Sequence, residues 1–410
     1  MDKKRYELNI AEYVAYGNLY AIWAAMRATV IFRDEIDTEL LRKALEPVFK
    51  RMPYYKVRLA VAQCPERYIL ETNEATFPIF LKNDYVAFNA DGTNDYLITI
   101  ACSGKKMLVN MSHLISDGCG LKRFISALMA SYFSLRYGIE ENNSWIKFLQ
   151  QTPADSEYAN PFDYIDEELI ARAKPAAKKS DDELRFTFPE DALSDEIHVF
   201  YLSIPKQKIV ELATSNDTSV APVLSYILFQ TLLRLHGEEN APYHLRLPVD
   251  VRKILGHPEI MRNCTISSTL KLDPRMLKKD TFFQLTCLRG QIYSQTYDER
   301  ALAKLMKNKL VHEKAAELDG IEMKTQFYNS LASLSDDPVF SYYGSMDMEE
   351  YEQYYEDFRG IVYVGGRAGI FMSAIDEKGD FRIVASSSLK DWKRYADQMK
   401  TILGEIGIDL

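Results

Sequence analysis

The stretch VNMSHLISDGCGLKRFISALMASY, residues 109–132, changes period halfway along. Up to Ser112 it continues a run of apolar residues, KMLVNMS, that reads as a strand. From Leu121 onward, Phe124, Ile125, Leu128, Met129 and Phe133 recur with helical spacing, and Gly138 ends the helix. Between the two lies H-x-x-x-D-G-x-G, with His113, Asp117, Gly118 and Gly120. A histidine at a strand-to-helix junction sits where backbone is exposed yet rigidly held. Asp117 suits the cap of the following helix, and the glycines suit a tight turn. Those roles alone would explain the residues. However, the chain has six histidines in 410 residues. With Asp and Gly each near 5%, chance places H-x-x-x-D-G in such a chain about one or two times in a hundred.

Working outward, the first half reads as an α+β unit. In VIFRDEIDTELLRKALEPVFKRMPYYKVRLAVA, Asp37 can cap a helix carrying Leu40, Leu41, Ala44, Leu45, Val48 and Phe49 on one face. Pro47 predicts a kink or an early end there. Tyr55, Val57, Leu59 and Val61 then alternate as a half-buried strand. Residues 66–112 read as a meander of four strands, with loop chemistry in NADGTND. The composition shifts at IDEELIARAKPAAKKSDDELRF, which is charged and poor in large apolar residues. It divides the chain into a half at 1–170, a linker at 171–186 and a half at 187–410.

The second half starts over. A strand, EIHVFYLSI, precedes a short helix and then TSVAPVLSYILFQTLLRLHG, 218–237, which is apolar nearly all round and predicted to be buried. PYHLRLPVDVRK and RNCTISSTLKLDP read as strands, followed by helical patterns at about 280–298 and 300–318. PVFSYYG, GIVYVGG, AGIFMSAID and DFRIVASSS read as strands closing the second sheet, before a terminal helix. The expected class is α+β, an α/β sandwich of two units with mixed sheets, repeated in architecture and not in residues.

Composition excludes several functions. A net charge of −9 argues against a nucleic-acid partner, which needs a basic stripe. No run of about 18 apolar residues occurs, so no membrane span is expected, and the N-terminus lacks a signal-peptide core. Cys64, Cys102, Cys119, Cys264 and Cys287 are scattered, with no C-x-x-C pair, which suits reduced thiols in a cytoplasm. No second His or Cys lies at metal-ligand spacing from His113, so no metal is expected. There is no G-x-S-x-G elbow for a serine hydrolase. His113 is left as a general base without a protein nucleophile, acting on a substrate hydroxyl, amine or thiol.

H-x-x-x-D-G in this setting resembles the signature of the chloramphenicol acetyltransferase-like acyltransferases, which include alcohol acetyltransferases, plant acyltransferases and nonribosomal condensation domains. DTELLRKALEPVFKRMPYYKVRLA is similar to the family's opening helix and strand. LPVDVRKILGHPEIMRNCTISSTLKLDP, 247–274, resembles its Pro-Val-Asp-x-Arg segment and the Arg-Asn that follows. FSYYG, 340–344, stands where relatives carry Ser/Thr-Asn-x-Gly. The resemblance spans nearly the whole chain, and bacterial alcohol acetyltransferases look most similar. It implies two such subdomains with an active-site tunnel between them. It also implies transfer of an acyl group from acyl-CoA, as co-substrate, to a small acceptor bearing a hydroxyl or amine, with no other cofactor. On this resemblance His113 is the base, Asp117 pairs with Arg252, Gly118 lets backbone approach the substrate, and Ser341 is an oxyanion-donor candidate.

The chain departs from the pattern in places. Ser112 stands where condensation domains carry a second histidine, nothing matches the plant Asp-Phe-Gly-Trp-Gly motif, and Tyr342 replaces the usual asparagine. Cys119 reads as a small buried thiol, and Lys122 and Arg123 as a solvated helix face. A carrier-protein-dependent condensing or releasing enzyme and a catalytically idle scaffold of the same fold remain as alternatives.

Overall fold

A computed structural model of the chain describes all residues except 1–3, 17–24, 140–142, 174–185, 241, 332–336, 365–368 and 409. The expected linker at 171–186 lies mostly at 174–185, outside the described residues. The first part runs β1 (Arg5–Tyr6), α1 (Glu12–Tyr16), β2 (Ala25–Phe32), α2 (Thr38–Arg51), β3 (Val57–Gln63), β4 (Glu66–Thr72), β5 (Ile79–Phe80), β6 (Ile98–Ser103), β7 (Lys106–Ser112), α3 (Gly118–Tyr137), α4 (Ser144–Gln150) and α5 (Glu167–Arg172). The second part begins with β8 (Leu193–Pro205), α6 (Lys206–Ser215), α7 (Val220–His236), β9 (Tyr243–Asp250), β10 (Thr265–Leu272) and α8 (Pro274–Leu277). It continues through α9 (Thr281–Thr296), α10 (Asp298–Ala316), α11 (Gly320–Leu331), β11 (Val339–Ser345), β12 (Tyr355–Val364), β13 (Ile370–Glu377), β14 (Asp380–Leu389) and α12 (Trp392–Glu405).

Two large mixed sheets organise these elements. The first has the order β12-β2-β7-β6-β5, antiparallel except for β5 with β6. The second has the order β10-β9-β11-β13-β14-β8, with β11 parallel to both β9 and β13. A small sheet, β1-β4-β3, stands apart. The 66–112 stretch is therefore not one meander. β4 pairs with β3 in the small sheet, and a single short strand, β5, precedes β6 in the first large sheet.

The strand within GIVYVGG also differs from expectation. β12 leaves the second part of the chain and pairs with β2, from Tyr355↔Phe32 to Val364↔Ala25. Its apolar residues Phe358 and Ile361 are fully buried in the core of the first sheet, beside α2 and α3. Gly360, at φ 87°, marks the register break that lets β12 cross.

Helix α2 is capped by the Asp37 side chain, which accepts from the Leu40 N–H. It runs through Pro47 to Arg51, past the expected break. The carbonyl that proline leaves without a partner belongs to Lys43, on the exposed face, where water can satisfy it. Leu41, Ala44, Leu45, Val48 and Phe49 pack into the first core. Each large side chain buried this way contributes about 1.5–3 kcal/mol. Helix α7 is the spine of the second core, with Pro222 through Leu232 buried. No single described helix is long and apolar enough to cross a membrane. The pair α6 and α7 passes that test together, bent by 97°.

Candidate active site

The loop His113–Asp117 joins β7 to α3. Asp117 has extended backbone, and its side chain accepts from the Gly120 N–H at 3.1 Å, closing the first turn of α3. Gly138, in the left-handed region at φ 67°, ends the helix.

His113 is partly exposed, and its Nδ1 lies 2.7 Å from the Ser116 carbonyl oxygen. A carbonyl can only accept, so Nδ1 carries the proton and Nε2 keeps its lone pair. Asn263 Nδ2 is 3.3 Å from the same Nδ1, where it can only pack against the ring in this tautomer. The Asn263 oxygen accepts from the Thr265 N–H at 3.0 Å, which fixes the amide's orientation. The ring of Tyr363 meets the imidazole edge-on at 5.6 Å. Burial lowers the His113 pKa below its ordinary value, against the pull of Asp117 and the Ser116 carbonyl. The imidazole is therefore neutral near pH 7, as a base requires.

Behind His113, Asp117 faces the segment after β9. Arg252 Nη2 stands 2.9 Å from its Oδ1, and the Cys264 N–H donates to Oδ2 at 2.9 Å. The Thr265 hydroxyl is 3.2 Å from Oδ2. Arg252 also donates to the carbonyls of Ile260 and Arg262, each at 2.6 Å, and meets Asp250 at 3.0 Å. Burial raises the Asp117 pKa, but Arg252 and the two backbone donors more than offset it, so the carboxyl is held below its usual range. Burial is the largest single influence on Arg252 and works against its charge, but Asp117, Cys264, Asp250 and Cys119 together outweigh it, leaving the guanidinium well above its ordinary pKa. The pair stays ionised. The Ser116 hydroxyl adds a further tie, donating to the Met261 carbonyl at 2.6 Å, with the Tyr55 hydroxyl 3.1 Å from the same oxygen.

Both glycines answer to close contacts. A Cβ on Gly120 would lie 1.8 Å from Ser116 Oγ and 2.8 Å from the Met261 carbonyl. A Cβ on Gly118 would lie 2.0 Å from Cε1 of Tyr343. What approaches the Gly118 backbone here is thus an aromatic ring from β11.

Ser341 is two residues before Tyr343 on β11, and the Tyr343 hydroxyl lies close enough to Ser341 to feel it electrostatically. Ser341 is 6% exposed. Lys122 and Arg123 are not a solvated pair. Lys122 Nζ donates to the Ser345 carbonyl at 2.6 Å and approaches the Tyr343 carbonyl at 3.4 Å. Arg123 donates to the carbonyls of Glu259 and Pro258 at 2.9 and 3.1 Å. Together they clamp two second-half segments onto α3. Cys119 is half-buried, and burial pushes its thiol up to about 12, which disfavours the thiolate that a nucleophile would need at neutral pH.

Sequence reasoning picked out His113, Asp117, Gly118, Arg252 and Ser341, and the fold gathers all five around the N-terminus of α3. It missed Ser116, Asn263, Tyr343 and Tyr363. Tyr343 carried a signal, because it lies two residues from Ser341 on a strand. The Ser116–Met261 tie spans 145 residues and carried none.

No family model matches the chain, and no curated protein matches it. Solved structures do. Polyketide synthase associated protein 5 from Mycobacterium tuberculosis superposes with a TM-score of 0.66 at 13% identity, over 98% of this chain and 96% of its own. The epimerization domain from the third module of tyrocidine synthetase B gives 0.66 at 13% identity, over 99% and 96%. TRI101 from F. sporotrichioides, complexed with coenzyme A and T-2, gives 0.64 at 12% identity, over 97% of each chain. Likeness at these identities speaks for architecture. The chain therefore has the chloramphenicol acetyltransferase-like fold, the two-subdomain α+β arrangement that these proteins share.

Proposed function

We propose that the chain is an acyltransferase that moves an acyl group from acyl-CoA to the hydroxyl or amine of a small acceptor. The observation that carries this reading is the 2.7 Å approach of His113 Nδ1 to the Ser116 carbonyl, which leaves Nε2 as a neutral base. Nε2 takes the proton of the acceptor as its oxygen or nitrogen attacks the thioester carbon. The tetrahedral oxyanion collapses, the C–S bond breaks, and the Nε2 proton passes to the departing thiolate. The products are the ester or amide and free CoA thiol, with no covalent enzyme intermediate. General-base assistance of this kind is worth about 10²- to 10⁴-fold, and the remainder comes from positioning and oxyanion stabilisation. Ser341, on the face of β11 turned toward α3, is our candidate oxyanion donor. The Asp117–Arg252 pair positions the loop and does not touch the reacting atoms.

A solved neighbour complexed with coenzyme A supports the choice of donor. The test is release of CoA thiol from acetyl-CoA with a panel of alcohols and amines, wild type beside His113→Ala. Acceptor-dependent release that the variant loses is the expected result. Normal turnover by a folded His113→Ala would overturn the role of His113. No release by wild type with any acceptor would overturn the CoA donor. It would favour a carrier-bound thioester, the reading to which the tyrocidine synthetase neighbour lends weight.

A further inference from the structure

The ring of Tyr343 lies directly on the backbone of Gly118, the residue after the aspartate that ties down the His113 loop. The place of a Cβ on Gly118 is 2.0 Å from Cε1, 2.5 Å from Cζ and 2.8 Å from the hydroxyl of Tyr343. Gly118 has no positive φ, so the close contact and not a backbone requirement calls for glycine there.

Tyr343 is also held in place. Lys122, from the next turn of α3, reaches the carbonyls of Tyr343 and Ser345. Ser341, two residues earlier on β11, lies near the Tyr343 hydroxyl. The pairing of β11 with β13 breaks register between Tyr342 and Ser345, and Gly344 takes φ 69° in that break. Tyr343 is thus the first side chain past the regular pairing, which ends at Tyr342↔Ala374, and the irregular backbone sets its ring on Gly118. Desolvation pushes its phenol pKa up, so it stays a neutral ring with a donor hydroxyl.

We propose that Tyr343 is the size-determining residue of the acyl site, closing the space over Gly118 so that short acyl thioesters of the acetyl class fit beside His113 and long chains do not. This rests on the acyl-CoA reading above and adds to it the class of acyl donor. The ring supplies the closure, and the hydroxyl is not needed for it.

The experiment compares kcat/KM for acetyl-, butyryl- and octanoyl-CoA in wild type, Tyr343→Phe and Tyr343→Ala. Wild type and Tyr343→Phe should both favour the short donor. Tyr343→Ala should raise the octanoyl-to-acetyl ratio by at least about 10- to 100-fold, the range by which a hydrophobic pocket discriminates a single methylene. Tyr343→Leu serves the same comparison should the alanine variant fail to fold. An unchanged chain-length profile in the truncated variants overturns the proposal.

A second readout does not depend on turnover. Gly118→Ala alone should lower the melting temperature, and Tyr343→Ala in the same chain should restore much of the loss. An equal loss from Gly118→Ala in both backgrounds overturns the contact. If wild type transfers no acyl group of any length while this pair still shows its coupling, the acyl-CoA reading has failed and the Tyr343–Gly118 contact stands.

Discussion

Arg252 and Asp117 meet across 135 residues, Nη2 to Oδ2 at 2.8 Å, with 4% and 3% of each residue exposed. One comes from the strand-to-helix loop of the first sheet, the other from the segment between β9 and β10 of the second. A buried pair of this kind adds little net stability, because desolvation offsets the attraction, yet removing one partner strands the other's charge.

Asp117→Asn should therefore destabilise the protein by about 3 kcal/mol, the lower end of what breaking a buried pair costs. Asparagine still caps α3, so the loss reads the ion pair and not the helix end. Arg252 then keeps Asp250, at 3.0 Å, as its remaining carboxylate partner, beside the carbonyls of Ile260 and Arg262. Denaturant unfolding measures the loss, and turnover should fall with it. Activity lost at unchanged stability would place Asp117 in the chemistry instead.

His113 sets the acid limb of the pH profile. Burial lowers its pKa, so kcat/KM should be flat near neutrality and fall toward acid with a midpoint below the ordinary imidazole value of about 6.5. The sign for stability follows from the same depression. The unfolded chain takes up the proton first, so His113's contribution is intact above about 6.5 and is lost as pH falls toward the folded-state value. His113→Ala should flatten that part of the stability curve and cut turnover by about 10²- to 10⁴-fold.

Gly120→Ala should cost about 1–3 kcal/mol through overpacking, measured as a drop in melting temperature. Its methyl group would press on Ser116 Oγ and on the Met261 carbonyl, neither of which can move without breaking the tie between them. Gly138→Ala tests the other end of α3, where the cost is backbone strain at φ 67° and should be about 1 kcal/mol.

Cys119→Ser should leave turnover within a few-fold of wild type. With its thiol pushed up to about 12, Cys119 should also alkylate slowly at pH 8, which a thiol-labelling time course reads directly.

The sequence announced the ends of α3 because its signals are local: an aspartate that caps, a glycine that terminates and an apolar stripe between them. It announced the Asp117 and Arg252 positions because their motifs carry a known resemblance. It gave no sign that β12 would join the first sheet. GIVYVGG is an ordinary buried strand in either sheet, and its partner β2 lies more than 300 residues earlier. Nor could spacing show that Lys122 and Arg123 are clamps, since their carbonyl partners lie far along the chain, on β11 and on the loop between β9 and β10. The Tyr343–Gly118 contact depends on the register break in β11, which alternation alone does not encode.

The crossing of β12 has a mechanical consequence. Because β12 is hydrogen-bonded to β2 while Ser373 and Ser386 of the second sheet donate to its Ile361 and Tyr363 carbonyls, it is a common rail for both sheets. Swinging the halves apart like jaws would unzip that rail. On the acyltransferase reading proposed above, donor and acceptor would then have to enter between halves that stay joined, and selection would fall on what can enter and not on closure around what has arrived.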